Sequence, residues 1–282
     1  MKYAIELNNV GYTYEDGTEA LQEINLKIEK GQIVTFMGEN GSGKSTLFKI
    51  LNGTLRPNKG TVLIDGKPIE YNKKELFQVR KKVGFIFQDS DDQLFSADVK
   101  QDISFGLFNL GYTNEIVAKK VKDIIEYFNM EEFSHKPVQF LSGGQKKRVA
   151  ISDVVVMEPE IILMDEPASA MDSKNVEILD EIIENLNKKG ITILISSHYS
   201  DRAFSNSHRI LIMKNGKIIK DGKPEEVFLQ KEILKEAHIK EPKVLKVYQL
   251  LLENNLIDKN EIDVPKNMEQ LEKIIIEIGE RK

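Results

Sequence analysis

The residues Gly38-Glu39-Asn40-Gly41-Ser42-Gly43-Lys44-Ser45-Thr46 decide the fold class of this chain. They fit the pattern G-x-x-x-x-G-K-[ST], and they lie between a short β-branched run, Ile33–Met37, and a stretch of helical periodicity at residues 45–51. Glycines let the backbone N–H groups wrap a phosphate, and the helix after the loop presents its positive end. The sequence therefore predicts a phosphate-binding loop between a buried strand and a helix.

This loop also carries side chains that suit a nucleoside triphosphate and its metal ion. The Lys44 ammonium can reach the β- and γ-phosphates, and the Ser45 hydroxyl can bind Mg²⁺. The loop residues predicted to contact the nucleotide are Gly38, Asn40, Gly41, Ser42, Gly43, Lys44, Ser45 and Thr46.

Two carboxylates follow the apolar run Ile161–Met164. Ligands of parallel sheets bind at the C-terminal ends of the strands, so this acidic pair is expected at the ligand-binding edge of the sheet. We predict that Asp165 holds the Mg²⁺ shell and that Glu166 polarises and orients the attacking water. A free glutamate has a pKa of about 4.3, so orienting the water is expected to matter more than full proton abstraction.

A second glycine-rich segment, Leu141-Ser142-Gly143-Gly144-Gln145, precedes a helical run at residues 146–157. Ser142 and the two glycines can form another anion cradle from a hydroxyl, backbone N–H groups and the helix dipole. One nucleotide seldom needs two such cradles that are distant in sequence. Two chains arranged head to tail, each phosphate loop facing the other chain's Ser-Gly-Gly segment, offer an economical solution.

With these motifs in order, the chain resembles the ATP-binding-cassette (ABC) ATPases over about residues 3–228. The resemblance implies ATP and Mg²⁺ as ligands, and it gives roles to residues that are weak signals alone. Tyr14 would stack on adenine, Gln88 would touch the metal and the water, and His198 would contact the γ-phosphate. Residues 169–172 match the D-loop. The implied catalytic residues are Lys44, Gln88, Glu166 and His198, the metal ligands are Ser45, Gln88 and Asp165, and the nucleotide contacts outside the first loop are Tyr14, Gln88, Ser142, Gly143, Gly144, Gln145 and His198.

A finer resemblance lies in Phe87-Gln88-Asp89-Ser90-Asp91-Asp92-Gln93-Leu94-Phe95-Ser96 and in residues 102–106 and 145–150. These stretches are similar to the ATP-binding proteins of cobalt transport and their energy-coupling-factor relatives. That resemblance implies a second copy or a paralogous ATPase as dimer mate, together with a membrane coupling subunit and a substrate-capturing membrane subunit. It also implies a peripheral location on the cytoplasmic face of the cell membrane. The implied cargo is cobalt, nickel or a vitamin.

The acidic residues of this stretch, Asp89, Asp91 and Asp92, could suggest a calcium loop. However, Leu94 stands where such a loop needs glycine. We interpret the cluster as a solvated loop or as contact surface for the membrane partner.

Runs of Ile, Val and Leu that alternate with helical stretches predict an α/β fold whose core sheet is mostly parallel and covered on both faces. The resemblance adds an N-terminal antiparallel β subdomain and a helical subdomain at about residues 90–155. We expect the nucleotide-binding domain at residues 1–223 and a C-terminal helical extension at residues 224–282, because Pro224 suits the first turn of a helix. The extension could pack against the parent domain, or it could serve dimerisation or regulation.

Composition excludes several classes of protein. Of 282 residues, 40% are hydrophobic and 30% are charged, which is typical of a folded globular protein. No cysteine is present, so disulfides and thiolate metal sites are impossible. The net charge of −5 argues against nucleic acid as a partner. No apolar run approaches the length of a membrane span, and the first residues lack the pattern of a secretory signal.

Two alternative functions remain open. One is an ABC-type ATPase that acts on nucleic acid or ribosomes, although the chain has a single phosphate loop and no room for a long coiled coil between Lys44 and Ser142. The other is a regulatory cassette that does not hydrolyse ATP, which the intact phosphate and metal residues disfavour.

The sequence departs from the usual family pattern at three places. These departures raise the question of how communication between the two nucleotide sites is tuned. The departures are Ala168-Ser169-Ala170-Met171-Asp172, Ser197-His198-Tyr199, and Asp153 in place of a frequent alanine or glycine.

Overall fold

The computed structural model describes residues 2–169, 171–258 and 262–280, so Ala170 of the predicted D-loop lies outside the described residues. Its core is a six-stranded sheet with the order β10-β9-β3-β8-β7-β6, in which only the pairing of β10 with β9 is antiparallel. The predicted mostly parallel core is therefore confirmed. The strands are β3 (Ile33–Met37), β6 (Val83–Ile86), β7 (Ile161–Met164), β8 (Thr192–Ser196), β9 (Arg209–Lys214) and β10 (Lys217–Gly222).

Both faces of this sheet are buried, as its continuous apolar strands predict. In β7, Ile161 and Leu163 face one apolar cluster, whereas Ile162 and Met164 face another. The first cluster joins the sheet to the helix after the phosphate loop and to a second, antiparallel sheet. The other cluster joins the sheet to the helices that precede and follow β7.

The antiparallel sheet has the strand order β2-β1-β4-β5 and belongs to the N-terminal part of the chain. It supplies the aromatic residue Tyr14, which directly follows β1. The strands are β1 (Tyr3–Thr13), β2 (Glu19–Glu29), β4 (Lys59–Ile64) and β5 (Lys67–Pro68).

The helices agree in place with the sequence periodicity, with small differences at the ends. The helix predicted at residues 146–157 begins earlier, at Gly143, because the Ser142 side chain caps it. The helices are α1 (Lys44–Leu51), α2 (Lys73–Lys82), α3 (Val99–Asn109), α4 (Asn114–Tyr127), α5 (Gly143–Val155), α6 (Ser173–Lys188), α7 (Ser200–Asn206), α8 (Pro224–Phe228), α9 (Lys231–Glu236), α10 (Lys243–Glu253) and α11 (Met268–Glu280).

The four C-terminal helices, α8 to α11, pack against α7 and β9 through a shared apolar cluster. Phe228 meets Phe204 edge to face, with ring centroids 5.9 Å apart. Beyond this cluster, His238 Nδ1 lies 3.4 Å from Glu39 Oε1 in the phosphate loop. The extension therefore packs against the parent domain. A role in dimerisation or regulation and the boundary between residues 223 and 224 stay predictions.

Helices that could cross a membrane are not found among the described residues, because none is both long and apolar enough.

A buried acidic pair lies between α3 and α5. Oδ2 of Asp102 and Oδ1 of Asp153 are both buried and have no hydrogen-bond partner among the described residues. Burial raises the pKa of Asp153 well above its usual value, and the nearby Asp102 carboxylate raises it further, while Gln93 opposes the shift. The pair therefore places two ionisable groups with buried oxygens between α3 and α5.

Replacing this carboxyl with its neutral isostere, Asp153→Asn, should stabilise the fold near neutral pH by about 1–3 kcal/mol, because the amide cannot ionise and so carries no desolvation penalty of a buried carboxylate. The folded-state pKa lies above the unfolded value near 3.8, so the folded state binds the proton more tightly. The cost of ionisation thus appears as the pH rises through the raised pKa, and the gain from Asn should shrink as the pH falls. Urea unfolding between pH 5 and 8 measures this. Asp123→Asn, on the exposed face of α4, is the control. Equal stability of Asp153→Asn and wild type at pH 7 would contradict the prediction.

Candidate nucleotide site

The phosphate loop requires glycine at two positions, for steric reasons. Gly38 has φ of 144°, and a Cβ built there would lie 2.1 Å from the carbonyl oxygen of Met213 in β9. Gly43 has φ of 105°, and a Cβ there would lie 2.6 Å from the carbonyl oxygen of Ala20. The loop is therefore pressed against β9 and β2, and a side chain at either position would displace it.

Lys44 lies at the centre of the loop and is only 6% exposed. Its Nζ donates hydrogen bonds to the carbonyl oxygens of Gly38, at 2.7 Å, and Glu39, at 2.9 Å. Burial lowers the pKa of Lys44, while Glu166 and Asp165 oppose that shift. A longer hydrogen bond of 3.4 Å reaches the Ser42 hydroxyl. The loop thus holds a buried cation whose present partners are neutral oxygens, an arrangement that suits exchange for phosphate oxygens.

Tyr14 is joined to the same loop by its hydroxyl, which lies 2.9 Å from Thr46 Oγ1 at the start of α1. Its ring meets Tyr12 edge to face at 4.9 Å and is partly exposed. The structure therefore brings Tyr14 beside the phosphate loop with part of its ring open to solvent. Stacking of this ring on adenine stays a prediction.

The two carboxylates after β7 are held by Ser196, the last residue of the neighbouring strand β8. The Ser196 hydroxyl donates to Asp165 Oδ1 at 2.5 Å and accepts the backbone N–H of Glu166 at 2.8 Å. Glu166 has φ of 43°, a left-handed conformation that is uncommon for a residue other than glycine. The backbone of Glu166 is therefore fixed in an unusual geometry next to the phosphate loop.

The side chain of Glu166 lies against His198 and Asn40. Nε2 of His198 is 2.9 Å from Glu166 Oε1 and 3.0 Å from Asn40 Oδ1, but only the contact with Asn40 has hydrogen-bond geometry. Glu166 Oε1 is thus a buried acceptor without a hydrogen-bond partner among the described residues. Because buried polar atoms are normally paired, this oxygen suits a water molecule at the site.

Burial sets the protonation of this cluster. It raises the pKa of the Glu166 carboxyl, an effect that Lys44 opposes and Asp165 strengthens. It lowers the pKa of His198, with a further contribution from the Lys44 charge, while Asp165 opposes it. The arrangement therefore favours a neutral imidazole beside a carboxylate of increased basicity.

The three predicted metal ligands line one cleft of about 700 Å³. These are Ser45 at the start of α1, Asp165 after β7 and Gln88 after β6. A hydroxyl, a carboxylate and an amide are oxygen donors of the kind that Mg²⁺ binds together with phosphates and water. The residues present therefore fit Mg²⁺, and their role as its ligands stays a prediction.

Residues 142–145 form the start of α5 rather than a loop ahead of it. The Ser142 hydroxyl accepts the N–H of Gln145 at 3.3 Å, and Gln145 Oε1 accepts the N–H of Ser142 at 3.0 Å. Gly144 lies against α6, where an added Cβ would be 2.5 Å from Asn175 Cγ. Ser142 and Gly143 are exposed, so this helix end is open for a ligand brought by another chain.

The described part of the predicted D-loop lies between the carboxylates and this helix end. The Ser169 N–H donates to the Glu166 carbonyl oxygen at 3.0 Å, and Asp172 caps α6 by accepting the N–H of Asn175 at 2.9 Å. Ser169 and Met171 line the same cleft as the candidate metal ligands. The segment is therefore tied to Glu166 at one end and to α6 at the other, and it borders the cleft that Gly143 of α5 also lines.

Two residues with close contacts to this site are absent from the sequence-based prediction, Ser196 and Lys147. Lys147, in α5, is 3% exposed, and its Nζ donates to the carbonyl oxygens of Phe87 at 3.0 Å and Gln88 at 2.9 Å. Burial lowers its pKa to about 8. A polar residue closing the apolar strand β8 was an available signal for Ser196, whereas Lys147 sits in a basic run that gives no hint of burial.

Comparisons with known proteins agree with this geometry. The profile of the ABC transporter family matches residues 21–169. The energy-coupling factor transporter ATP-binding protein EcfA of Methanocaldococcus jannaschii is 46% identical over 249 residues, which cover 88% of this chain and 89% of the relative. EcfA2 of Clostridium perfringens is 39% identical over 263 residues, with 93% and 92% covered.

Solved structures give the same result. cbiO1 of Clostridium perfringens, described as part of the ABC transporter complex cbiONQ, has a TM-score of 0.75 at 40% identity and covers 84% of this chain and 94% of its own. A dimeric ATP-binding cassette in a post-hydrolysis state bound to ADP and Pi has a TM-score of 0.72 at 31% identity, with 78% and 98% covered.

The fold and the site define a P-loop ATPase with a helical signature segment. The chain belongs to the ABC transporter family and, within it, to the energy-coupling factor ATP-binding proteins. It is an ATPase coupled to transport, which removes the alternative of a cassette that does not hydrolyse ATP.

Adding one methyl group to the loop, Gly38→Ala, should lower ATP affinity at least about tenfold, because the new Cβ would collide with the β9 backbone and shift the loop. Gly111→Ala is the matched control, since Gly111 also has positive φ, of 80°, but has open space around it and lies away from the site. Binding of a fluorescent ATP analogue measures the difference. Equal affinity of the two variants would show that the close approach to β9 does not shape the loop.

Proposed function

We propose that this chain is the ATP-hydrolysing subunit of an energy-coupling-factor-type importer that takes up a transition-metal ion, cobalt or nickel, or a vitamin. It would dimerise around two ATP molecules with a second copy or a paralogue. Its other partners would be a membrane coupling subunit and a substrate-capturing subunit, which place it peripherally on the cytoplasmic face of the membrane. The observation that carries the hydrolytic role is the buried Glu166 Oε1, which lies beside His198 and near Lys44 and has no hydrogen-bond partner in the described part of the chain.

The residues divide the work of phosphoryl transfer. Lys44 exchanges its carbonyl partners for phosphate oxygens, and Glu166 orients the attacking water with an oxygen that burial has made more basic. His198, whose pKa burial lowers and whose ring contacts Asn40, would contact the γ-phosphate. Ser45, Asp165 and Gln88 would hold Mg²⁺, which would neutralise phosphate charge when bound. Because phosphoryl transfer needs mainly positioning and charge stabilisation, this set is sufficient for one half of a composite site.

The other half would come from the dimer mate. Ser142 and Gly143 lie exposed at the N-terminal end of α5, where the helix dipole favours an anion. In the dimer, this end would cover the nucleotide bound by the opposite phosphate loop. The similarity to a dimeric cassette that holds ADP and Pi supports this arrangement.

Coupling to a membrane subunit is supported by the way the segment after β6 is tied to α5. Lys147 binds the carbonyls of Phe87 and Gln88, Lys146 Nζ lies 2.5 Å from Asp91 Oδ1, and Gln93 Nε2 donates to the Ala150 carbonyl oxygen at 2.6 Å. All four contacts join this segment to one helix. A displacement of this segment by the membrane subunit would therefore move Gln88 and the exposed end of α5 together.

An exposed aromatic pair offers the membrane subunit a docking site. Phe95 is 66% exposed and meets Phe105 of α3 edge to face at 4.8 Å. Large apolar side chains in contact with each other at a surface are typical of a docking site. The nearby carboxylates of Asp91 and Asp92 would form its polar rim.

Glu166→Gln should retain ATP binding and reduce hydrolysis by at least about 10²-fold, because the amide cannot polarise water as a carboxylate does. The variant should accumulate as an ATP-bound dimer, measured by light scattering and phosphate release. Lys44→Ala should lose nucleotide binding instead, which separates the two roles. Near-normal phosphate release by Glu166→Gln would remove Glu166 from the chemistry.

A wild-type protein with tight, salt-dependent nucleic-acid binding and no membrane partner would overturn the transport function.

Lys147→Met should uncouple transport from hydrolysis, because the segment after β6 loses its buried tie to α5. In the assembled transporter, substrate uptake per ATP hydrolysed should fall severalfold, while ATP binding by the isolated subunit is retained. Lys119→Met, an exposed lysine of α4, is the control. An unchanged uptake-to-hydrolysis ratio in a folded Lys147→Met protein would contradict the tie.

A further inference from the structure

Ser196 is hydrogen-bonded through its side chain to both Asp165 and Glu166, the two acidic residues that follow β7. It ends β8, the strand adjacent to β7 in the central sheet, and it is 0% exposed. Its hydroxyl contacts Asp165 through the side chain and Glu166 through the backbone. One buried atom therefore touches both residues assigned to the metal ion and the water.

The direction of these two hydrogen bonds is fixed by their chemistry. The backbone N–H of Glu166 can only donate, so Ser196 Oγ must accept it. The single hydroxyl proton is then free for the Asp165 carboxylate, whose Oδ1 lies 2.5 Å away. Oδ1 of Asp165 is thereby committed, and Oδ2 is the oxygen left for the cleft shared with Ser45 and Gln88.

The same hydroxyl fixes the backbone that carries the Glu166 side chain. With φ of 43°, Glu166 has a conformation that L-residues rarely adopt, and it persists only where the surroundings enforce it. The hydrogen bond from its N–H to Ser196 is one such restraint. Loss of the bond would let this backbone relax and turn Glu166 Oε1 away from His198.

We propose that Ser196 is a positioning residue that holds the Asp165 carboxylate and the Glu166 backbone in one geometry, so that metal retention and water orientation depend on a single hydroxyl. This inference rests on the proposed function. The neighbouring Ser197 does not share the role, because its hydroxyl accepts the N–H of Tyr199 at 3.1 Å.

The first test uses the nucleotide-free protein. In Ser196→Ala, the Glu166 amide proton should exchange with solvent about tenfold faster or more, because its hydrogen-bond acceptor is gone. Amide-resolved NMR of hydrogen exchange measures this without metal or turnover. An unchanged exchange rate of the Glu166 amide would overturn the proposal, because it would show that the hydrogen bond to Ser196 does not restrain this backbone.

The second test measures the Mg²⁺ dependence of ATP-analogue binding by fluorescence. Removing a residue that orients a metal ligand costs about 10–100-fold in metal affinity or activity, so the Mg²⁺ concentration for half-maximal binding should rise by that factor in Ser196→Ala. Affinity for the analogue without Mg²⁺ should stay at the wild-type value. kcat should fall by a similar factor with KM for ATP little changed.

Three further variants separate positioning from loss of folding. Ser196→Thr keeps the hydroxyl and should restore exchange protection and Mg²⁺ affinity. Ser196→Cys is nearly isosteric, but its thiol is a weak hydrogen-bond donor. It should therefore fold and still lose exchange protection and Mg²⁺ affinity. If Ser196→Ala does not fold, the Ser196→Cys variant provides the test of the proposal. Ser207→Ala is the matched control, since Ser207 Oγ is buried in the same way and bonds Thr35 Oγ1 at 2.7 Å. It should leave Mg²⁺ affinity unchanged.

Wild-type Mg²⁺ affinity and kcat in a folded Ser196→Ala or Ser196→Cys protein would overturn the proposal. That result is distinct from failure of the proposed function, which a wild-type protein without phosphate release or without membrane partners would reveal.

Discussion

The parallel direction of the strands in the central sheet is the constraint on which the site depends. Strands β3, β8 and β7 are adjacent and all end at one edge, so the segments after these strands meet there. The phosphate loop comes after β3, the carboxylates come after β7, and β8 delivers Ser196 and then His198. Residues far apart in sequence become neighbours without any long loop, and the buried strands hold them more rigidly than a flexible connection would.

Burial gives these neighbours their chemical character. Lys44, Asp165 and Glu166 are all nearly inaccessible to solvent, and each charge would be costly to bury alone. Their mutual proximity offsets part of that cost, since the two carboxylates raise the pKa of Lys44 and Lys44 lowers the pKa of Glu166. The Glu166 oxygen without a hydrogen-bond partner among the described residues and the carbonyls that hold Lys44 are the parts of this balance that a bound nucleotide would change.

The sequence is sufficient to predict the parts of the molecule that depend on local patterns. The phosphate loop, the buried strands and the acidic pair after β7 each have a recognisable spacing, and the family resemblance supplied Gln88 and His198. The sequence alone does not reveal contacts across strands. The bond from Ser196 to Asp165 spans 31 positions, and that from Lys147 to Gln88 spans 59. Such contacts depend on strand order and helix placement, which no local pattern contains. The observed start of α5 at Gly143 also differs from the predicted start at residue 146, because the Ser142 cap determines where the helix begins.

The contact between His238 and Glu39 ties the C-terminal helices to the loop that surrounds Lys44. Residues 237–241 and the phosphate loop line a common cleft of about 1100 Å³ that also includes His198. A truncated cassette that ends near Gly222 would therefore lose one wall of this cleft beside the phosphate loop and His198. Differences in turnover between such a fragment and the 282-residue chain would report on that missing wall as much as on any missing regulator.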